Sequence, residues 1–295
     1  MPRNWEPDLI MDVGMHRGED AEFYLKKGFR VVGVEANPKL VADARQRLQP
    51  YLGRGQLEIY NVAIAPHRGQ VDFFASEQSL WGSTSPQAAE THRQLAVATR
   101  QITVPCLPFA DILERHGAPY YLKVDIEGSD TLCLRALAEC HQKPRFVSIE
   151  CDLTDRRTMF STLATLWSLG YREFKLLNQA LNPNLRCPRP PREGQYVEVR
   201  FTKSMSGPFG NETPGPWNSA DEVWDRYSAI EKQHRLRTAY ASTGRILGIS
   251  VGRFHNQICW LYNSPLISAA RRAYARLRGA ELGGWFDLHA RYSES

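Results

Sequence analysis

Apolar and polar positions alternate between two kinds of segment over the first two thirds of the chain. Short apolar runs, DLIMDV (8–13) and RVVGVE (30–35), are typical of buried parallel strands. Between them, GEDAEFYLKKG (18–28) has the pattern of a helix, with acids in its first turn, lysines in its last turn and glycine at its end. The alternation continues to about residue 203 and predicts a doubly wound α/β sheet with helices on both faces.

The remaining elements follow from the same patterns. Further strands are predicted at 57–64, 70–75, 100–106, 120–128, 145–151, 171–177 and 195–202. Further helices are predicted at 38–48, 109–117, 130–140 and 157–170. The segment 195–202 alternates apolar and polar residues, which is typical of an antiparallel edge strand.

The composition of the chain changes after residue 203. Glycine and proline dominate SMSGPFGNETPGPWN (204–218), and two helices are predicted beyond it, at about 219–238 and 264–278. We therefore expect one domain over residues 1–203 and a helical C-terminal extension over 204–295, which could cover the acceptor site.

Composition excludes several classes of protein. The 295 residues contain no run of about 18 apolar positions, and the first residues lack the apolar stretch of a signal peptide. The six cysteines have no metal-binding spacing. The net charge of +5 comes mostly from scattered basic residues, although four arginines gather near the end, Arg271, Arg272, Arg276 and Arg278. A nucleic-acid-binding surface would need such residues clustered with aromatics on one face. We expect a cytoplasmic protein with neither a membrane nor a nucleic acid as partner.

Polar side chains follow four of the predicted strands at their carboxyl ends. In an open α/β sheet, ligands bind beyond these ends, near the point where the strand order reverses. The residues are Asp12 with Gly14 and Gly18, Glu35 with Ala36 and Asn37, Asn61 with Val62 and Ala63, and Asp125 with Glu127. A fifth strand ends at Glu150 and Asp152. So many acids at one edge predict a ligand site.

The first turn favours a cofactor without phosphate. A dinucleotide-binding turn has the pattern G-x-G-x-x-G, whereas this turn has Gly14 and Gly18 with His16 in place of the middle glycine. Asp12 and the acids that open the helix would repel a pyrophosphate. They suit S-adenosylmethionine, which carries an ammonium and a sulfonium. Glu35, 23 positions after Asp12, is placed to accept hydrogen bonds from ribose hydroxyls. The alternative is that the two glycines serve only a tight turn.

The segments MDVGMHRGED, VVGVEANP, NVAIAPHRGQVDFF, YLKVDIEGSD and FVSIECD together resemble the FkbM family of S-adenosylmethionine-dependent methyltransferases. The resemblance covers roughly residues 8–180. It implies a Rossmann-like class I methyltransferase fold, with a mostly parallel seven-stranded sheet, and methylation of a hydroxyl on a carbohydrate or small natural product.

Carried over by position, the family implies roles for the residues of the first strand ends. Asp12, Gly14 and Gly18 would contact the methionine part of the cofactor and Glu35 the ribose. Ala36 and Asn37 would flank the adenosine, while Asn61, Val62 and Ala63 would lie along the adenine. Met15-His16 departs from the small residue and asparagine usual in the family, which leaves the fine shape of the loop open.

The catalytic candidates lie in the segment YLKVDIEG. A central strand buries both faces, so the charges of Lys123, Asp125 and Glu127 must lie at its exposed end or be paired. We expect Asp125 to act as the acid–base or acceptor-orienting group, with Glu127 and Glu150 as further candidates. The alternative is that Lys123 and one of these three carboxylates form a structural ion pair. These carboxylates together with Asp152 could also hold Mg²⁺ or Ca²⁺, although we expect no metal.

Four further residues are candidates for contact with the acceptor. Trp81, Ser83 and Thr84 lie in the polar stretch SLWGSTSP, which could equally be an ordinary surface loop. His289 could act as a base if the tail folds over the site, or it could be a histidine satisfied by packing.

The sequence therefore predicts an O-methyltransferase that uses S-adenosylmethionine on a small-molecule or carbohydrate acceptor. A catalytically inactive binding module, an NAD(P)-linked oxidoreductase and a nucleic-acid methyltransferase are the alternatives. Neither the acceptor nor the oligomeric state is indicated, because acceptor pockets are built from loops and from the tail.

Overall fold

The computed structural model of the chain describes residues 5–76, 82–83, 99–126, 128–151, 153–243, 245–246, 249–250 and 285–293. The strands in these ranges are β1 (Glu6–Val13), β2 (Arg30–Val34), β3 (Leu57–Tyr60), β4 (Ala63–Ile64), β5 (Gly69–Ser76), β6 (Gly82–Ser83), β7 (Thr99–Leu107), β8 (Pro119–Val124), β9 (Phe146–Cys151), β10 (Tyr171–Asn178), β11 (Arg245–Ile246), β12 (Ile249–Ser250) and β13 (Phe286–Tyr292).

The helices begin and end largely where their sequences predict. They are α1 (Glu19–Lys26), α2 (Pro38–Arg47), α3 (Gln49–Leu52), α4 (Phe109–His116), α5 (Asp130–Glu139), α6 (Arg156–Ser168) and α7 (Ala220–Thr243). Asn37 caps α2 by accepting a hydrogen bond from the backbone N–H of Lys39, and Pro38 occupies the first turn. Asp155 caps α6 in the same way, through the N–H groups of Arg157 and Thr158.

The main sheet has seven strands in the order β10-β13-β9-β8-β1-β2-β3. Its neighbours run parallel except in the two pairs that β13 forms, which are antiparallel. The predicted Rossmann-like class I methyltransferase fold is confirmed. The strand order reverses between β1 and β8, so the carboxyl ends of these two strands define the edge where a ligand is expected.

The two faces of this sheet differ in polarity. One face is apolar and packs against α4, α5, α6 and α7 through residues such as Val13, Leu122 and Ile149. The other face is covered by α1 and by residues after 185, and it carries an unbroken polar row at one level of the sheet. In register across the strands, this row contains Asp12, Lys123, Ser148, His289 and Lys175.

The prediction of a strand at 195–202 is wrong, because the structure has no regular strand there. Phe201 is buried and meets Phe23 of α1 edge-to-face at 5.1 Å, so this segment covers the helix and does not extend the sheet. The antiparallel strand comes from the tail, where β13 lies between β9 and β10. Both segments alternate in polarity, and alternation alone does not say which one finds an unpaired strand.

The predicted strand at 57–64 is divided in the structure. β3 ends at Tyr60, and Ala63–Ile64 forms β4 in a second, four-stranded sheet of order β4-β7-β5-β6. The predicted strands 70–75 and 100–106 are confirmed as β5 and β7, which pair antiparallel.

The part of the chain after residue 203 contributes to both faces of the main sheet. The first helix predicted there is α7, whereas the helix predicted at 264–278 lies outside the described residues. Val223 and Tyr227 of α7 are buried on the apolar face, and β13 lies within the sheet itself. The boundary at residue 203 stays a prediction. No described helix is both long and apolar enough to cross a membrane.

Candidate active site

Left-handed backbone at two glycines shapes the loop after β1. Gly14 has a φ of 87° and Gly18, which precedes α1, has a φ of 77°. A Cβ on Gly14 would lie 1.8 Å from the carbonyl oxygen of Asp125, so only glycine allows the loop to approach the end of β8 this closely. The loop is held to β2 as well, because the N–H of Gly14 donates to the carbonyl of Val34 at 2.9 Å.

Met15 and His16, the two departures from the family pattern, are accommodated in this loop. Met15 is 2% exposed, and a Cβ on Gly33 of β2 would lie 2.3 Å from its sulfur. His16 has a φ of 54°, its N–H donates to Oε2 of Glu35 at 3.0 Å, and its Nδ1 lies 3.2 Å from Oε2 of Glu19. The loop therefore keeps its contact with the acid that follows β2.

Glu35 is 9% exposed and lies directly after β2. Its Oε2 accepts the hydrogen bond from His16, and its Oε1 accepts one from the N–H of Asn37 at 2.8 Å. Burial raises the pKa of Glu35 to about 7, and the two N–H donors oppose this shift. Each carboxylate oxygen retains a further acceptor position, so the side chain can accept hydrogen bonds from two neighbouring hydroxyls.

Asn61 fixes the backbone around Glu35. Its Nδ2 donates to the carbonyls of Glu35 at 3.0 Å and Ala36 at 3.2 Å. Val62 is partly buried against the main core, and Ala63 is 3% exposed where β4 begins. The predicted cofactor residues after β2 and β3 are thus brought together at one edge.

The ammonium of Lys123 is surrounded by carboxylates. Its Nζ lies 3.2 Å from Oδ1 of Asp12, 3.7 Å from Oδ2 of Asp20 and 3.8 Å from Oδ2 of Asp125. Burial lowers the pKa of Lys123, but these charges outweigh burial and hold the pKa well above its ordinary value. Burial raises the pKa of Asp12, against the opposing effect of Lys123, and raises that of Asp20 to about 6. Of the carboxylates that the alternative prediction offered to Lys123, Asp125 lies within ion-pair distance, but the closest partner is Asp12, which that prediction did not include.

Asp125 is placed directly across from the glycine loop. Its N–H donates to the carbonyl of Val13 at 2.9 Å, which continues the pairing of β8 with β1. Its side chain is 44% exposed, whereas those of Asp12 and Asp20 are almost fully buried. Asp125 is therefore the most exposed carboxylate of this cluster.

The other predicted catalytic and acceptor residues have different positions. Glu150 lies near the end of β9 and is partly buried, while Glu127, Asp152, Trp81 and Thr84 lie outside the described residues. The backbone of Ser83 belongs to β6 and pairs with Phe74 of β5.

His289 lies inside the sheet, away from the edge formed by the carboxyl ends of β1 and β8 (the rim). It is 2% exposed on β13, level with Ser148 and Lys175. Burial lowers its pKa to about 3, and the charge of Lys175 adds to this effect. The imidazole is enclosed, and its Nε2 has no hydrogen-bond partner in the described ranges. Both roles offered for His289 stay predictions.

Sequence reasoning missed two residues at the rim, Asp287 and Gln179. Asp287 lies opposite Glu150 in the pairing of β13 with β9, and Gln179 follows β10 and donates its Nε2 to Oδ2 of Asp287. The segment FDLHARY has a period-two pattern, in which buried Phe286, Leu288 and Ala290 alternate with polar residues. That pattern was the available signal for a strand.

The buried groups at this edge fit a cationic, phosphate-free nucleoside cofactor. Oδ2 of Asp12 is fully buried and has no hydrogen-bond partner in the described ranges, so it can accept a bond from an ammonium. Glu35 offers two acceptor positions for ribose hydroxyls. Groups of three or more His, Cys, Asp or Glu arranged to hold a metal ion are absent from the part of the chain that the structure describes.

Comparison with known proteins identifies the family. The sequence profile of the methyltransferase FkbM domain matches residues 12–173, which contain the glycine loop, Glu35, Asn61 and Asp125. The chain belongs to the FkbM methyltransferase family. Comparison with curated protein sequences gives no match.

Solved structures of methyltransferases are similar at low identity. An FkbM methyltransferase from Methylobacillus flagellatus has 19% identity and a TM-score of 0.39, with 60% of this chain and 41% of that chain covered. A precorrin-6y C5,15-methyltransferase from Geobacter metallireducens has 12% identity and a TM-score of 0.35, covering 59% and 68%. A methyltransferase from Thiobacillus denitrificans, in complex with S-adenosyl-L-homocysteine, has 10% identity and a TM-score of 0.34, covering 98% and 86%.

Proposed function

We propose that this chain transfers a methyl group from S-adenosylmethionine to a hydroxyl oxygen of a carbohydrate or a small natural product. The observation that carries the proposal is the position of Asp125. Its half-exposed carboxylate stands beside the glycine loop, while the neighbouring Asp12 and Asp20 are buried around Lys123. A reachable carboxylate next to the donor loop is what a proton-accepting step at an acceptor hydroxyl requires.

The donor would be held by the residues that follow β1, β2 and β3. Asp12 would accept a hydrogen bond from the ammonium, and Glu35 would accept bonds from the ribose hydroxyls. Ala36 and Asn37 would flank the adenosine, with Asn61, Val62 and Ala63 along the adenine. Bound there, S-adenosylmethionine supplies a methyl group that is activated by its sulfonium.

The contribution of the protein is to orient the acceptor and to remove its proton. Holding the acceptor oxygen in line with the methyl group is a proximity effect, which can supply a large part of the rate enhancement. Asp125 would take the hydroxyl proton as the new O–C bond forms. Glu150 and Glu127 are the further candidates for orienting the acceptor.

The charge of the site supports an acceptor without phosphate. Asp12, Asp20 and Asp125 lie within 4 Å of the ammonium of Lys123. The basic groups beside the loop are already paired, Arg17 with Asp43 and Arg47 with Glu19. A phosphate would meet uncompensated negative charge here. This disfavours a nucleic acid as acceptor, and we propose a small molecule.

Labelled S-adenosylmethionine tests the proposal. Wild-type protein, incubated with isotopically labelled donor and a deproteinised extract of cells that encode it, is expected to label a small molecule through an oxygen-linked methyl group. Asp125→Asn is expected to lower the rate by roughly 10²- to 10⁴-fold, the usual contribution of a general base, without weakening the binding of S-adenosylhomocysteine. Asp8→Asn, an exposed carboxylate at the opposite end of β1, is the matched control.

Each alternative predicts a different result. A catalytically inactive binding module would bind S-adenosylhomocysteine, label nothing and be indifferent to Asp125→Asn. An NAD(P)-linked oxidoreductase would be protected from thermal unfolding by NADH and not by S-adenosylhomocysteine. Label found in RNA or DNA, and not in a small molecule, would overturn the proposed acceptor class.

A further inference from the structure

The last strand brings a carboxyl group to the edge where Asp125 lies. In the pairing of β13 with β9, Asp287 is opposite Glu150, near the carboxyl end of β9. β8 pairs with β9 through Val124 and Ile149, so Asp125 and Glu150 occupy the next level together. Side chains at one level of adjacent strands project from the same face. Asp125, Glu150 and Asp287 therefore form one row at the carboxyl edge of the sheet, on the same face as the buried polar row and two register positions nearer that edge.

Asp287 is held in place on one side and open on the other. The residue is 8% exposed. Its Oδ2 accepts a hydrogen bond from Nε2 of Gln179. Its Oδ1 has no hydrogen-bond partner among the residues with described side chains, and it is not one of the fully enclosed unsatisfied atoms. One carboxyl oxygen is thus fixed by the protein, and the other is available to a molecule at the edge.

Gln179 is itself fixed, so the support of Asp287 is rigid. Its Oε1 accepts a hydrogen bond from Nδ2 of Asn182, which also donates to the carbonyl of Met205 at 2.9 Å. A Cβ on Gly207, whose φ is 82°, would lie 2.9 Å from Oδ1 of Asn182. The glycine lets the chain after Met205 pass close to Asn182.

The same turn connects Asp287 to the cofactor half of the site. The N–H of Ser206 lies 3.0 Å from both carboxylate oxygens of Asp20, and Asp20 lies beside Lys123. A continuous series of hydrogen bonds and ion pairs thus runs from Asp287 through Gln179, Asn182 and residues 205–206 to the carboxylates around Lys123. Residues on both sides of the predicted boundary at 203 take part in it.

We propose that Asp287, positioned by Gln179, is an acceptor-binding residue of the methyltransferase site and contacts the acceptor hydroxyl group or its neighbour from the side opposite the glycine loop. This inference rests on the proposed function. In that arrangement Asp125 and Asp287 flank the acceptor, with Asp125 next to the donor loop.

The protonation state of Asp287 suits this role. Burial raises the pKa of Asp287 well above its ordinary value, and the charge of Asp125 adds to the shift. A protonated carboxyl group can both donate and accept a hydrogen bond. It can therefore bind a neutral hydroxyl without adding a second negative charge beside Asp125.

A dilution series with labelled donor separates acceptor binding from turnover even when the acceptor has no name. The probe is a deproteinised small-molecule extract of cells that encode the protein, serially diluted at saturating labelled S-adenosylmethionine. The extract concentration that gives half of the maximal initial rate of labelling serves as a relative KM, and the maximal initial rate serves as a relative kcat. Calorimetry independently measures the affinity of the protein for S-adenosylhomocysteine.

Asp287→Leu is expected to require about tenfold more concentrated extract for a half-maximal initial rate of labelling, the scale of one lost hydrogen bond to substrate. Its affinity for S-adenosylhomocysteine is expected to change less than about twofold. Gln179→Leu should also raise the half-saturating extract concentration. In the double variant the two effects should not add, because the two residues act as a unit. Asp8→Asn should leave both parameters unchanged.

Three outcomes would overturn the inference. A half-saturating extract concentration equal to that of the wild type would show that Asp287 does not meet the acceptor. A parallel loss of affinity for S-adenosylhomocysteine would make Asp287 a support of the cofactor site. Absence of any labelled product with the wild-type protein would defeat the proposed function, and the inference with it. Asp287→Asn preserves the shape, the contact with Gln179 and a hydrogen-bond donor, so it should lose less acceptor binding than Asp287→Leu, and the test does not depend on a variant that fails to fold.

Discussion

Nζ of Lys123 lies 3.2 Å from Oδ1 of Asp12, and the two residues are directly paired in the register of β8 with β1. Their side chains are 7% and 0% exposed. The pair joins the two strands between which the order of the sheet reverses, directly beneath the edge where the donor is expected. It is therefore both part of the core and the base of the site.

Replacing Lys123 by methionine should destabilise the protein strongly. The variant leaves buried carboxylates without a counter-charge, and breaking a buried pair in this way costs about 3–5 kcal/mol. The decrease in the free energy of unfolding, relative to the wild type, should be largest near pH 8. It should become smaller toward pH 5, because the uncompensated carboxylates can then take up protons. Chemical denaturation at both pH values measures it.

Lys26→Met is the matched control for this prediction. Lys26 pairs with Glu22 on the outer side of α1, and its side chain is 48% exposed. An exposed pair of this kind contributes less than about 1 kcal/mol. Equal losses in the two variants would contradict a special role for the cluster around Lys123.

Gly14→Ala should destabilise the protein by more than the backbone strain alone. A left-handed alanine costs about 1–2 kcal/mol, and here the methyl group would also lie 1.8 Å from the carbonyl oxygen of Asp125. Gly28 provides the comparison, since its φ is 94° and a Cβ there would have no neighbour within 4 Å. Thermal melts of the two alanine variants should differ clearly, and matching melting temperatures would contradict the close approach of Gly14 to β8.

Glu35 should make stability fall as the pH rises. Its pKa is about 7 in the folded protein against an ordinary 4.5, so the folded state holds a proton that the unfolded state has released between these values. The contribution is complete below about pH 4.5 and is lost as the pH rises through about 7, with a total on the order of 3 kcal/mol. Glu35→Gln should lack this dependence.

The prediction for Glu35 is tested by comparing how steeply the free energy of unfolding changes with pH in the wild type and in Glu35→Gln. The amide of Glu35→Gln cannot accept both backbone hydrogen bonds, so a constant loss is expected at every pH. Parallel curves of unfolding free energy against pH for the wild type and the variant would contradict the raised pKa. Because ribose hydroxyls favour the ionised carboxylate, S-adenosylhomocysteine should also bind more tightly to the wild type at pH 8 than at pH 6.

Leu288→Ala tests the place of β13 in the sheet. Leu288 is fully buried between β9 and β10, and truncating such a leucine costs about 2–5 kcal/mol. Trp285, directly before the strand and 45% exposed, is the control, and Trp285→Ala should cost much less. If Leu288→Ala were as stable as the wild type, the tail would not be a strand of the core.

The local pattern of apolar and polar residues predicted most strands of the main sheet but not β13, the strand that pairs with β10. The apolar runs of β1, β2 and β9 and the caps of α2 and α6 have short-range signals that the structure follows. The partner of β10 does not have such a signal, because the pairing with β13 joins residues more than a hundred positions apart. Two segments had suitable alternation. In the structure one of them packs against α1 through Phe201, and the other is β13, which pairs with β10 and β9.

The cofactor half of the edge could be predicted in more detail than the acceptor half. Gly14, Glu35 and Asn61 lie within a few residues of their strand ends, so strand order alone brings them together. Asp287 reaches this edge only because β13 enters the sheet. Gln179 directly follows β10, and its contact with Asp287 depends on the position of β13. Such residues become visible when the register of the tail is known.

A crystal structure of the protein with S-adenosylhomocysteine tests the central claim most directly. The account predicts the ribose hydroxyls within hydrogen-bonding distance of Glu35 and the amino group of the ligand near Asp12, beside the loop from Gly14 to Gly18. A ligand bound elsewhere on the protein, with both carboxylates unaltered in their contacts, would contradict it.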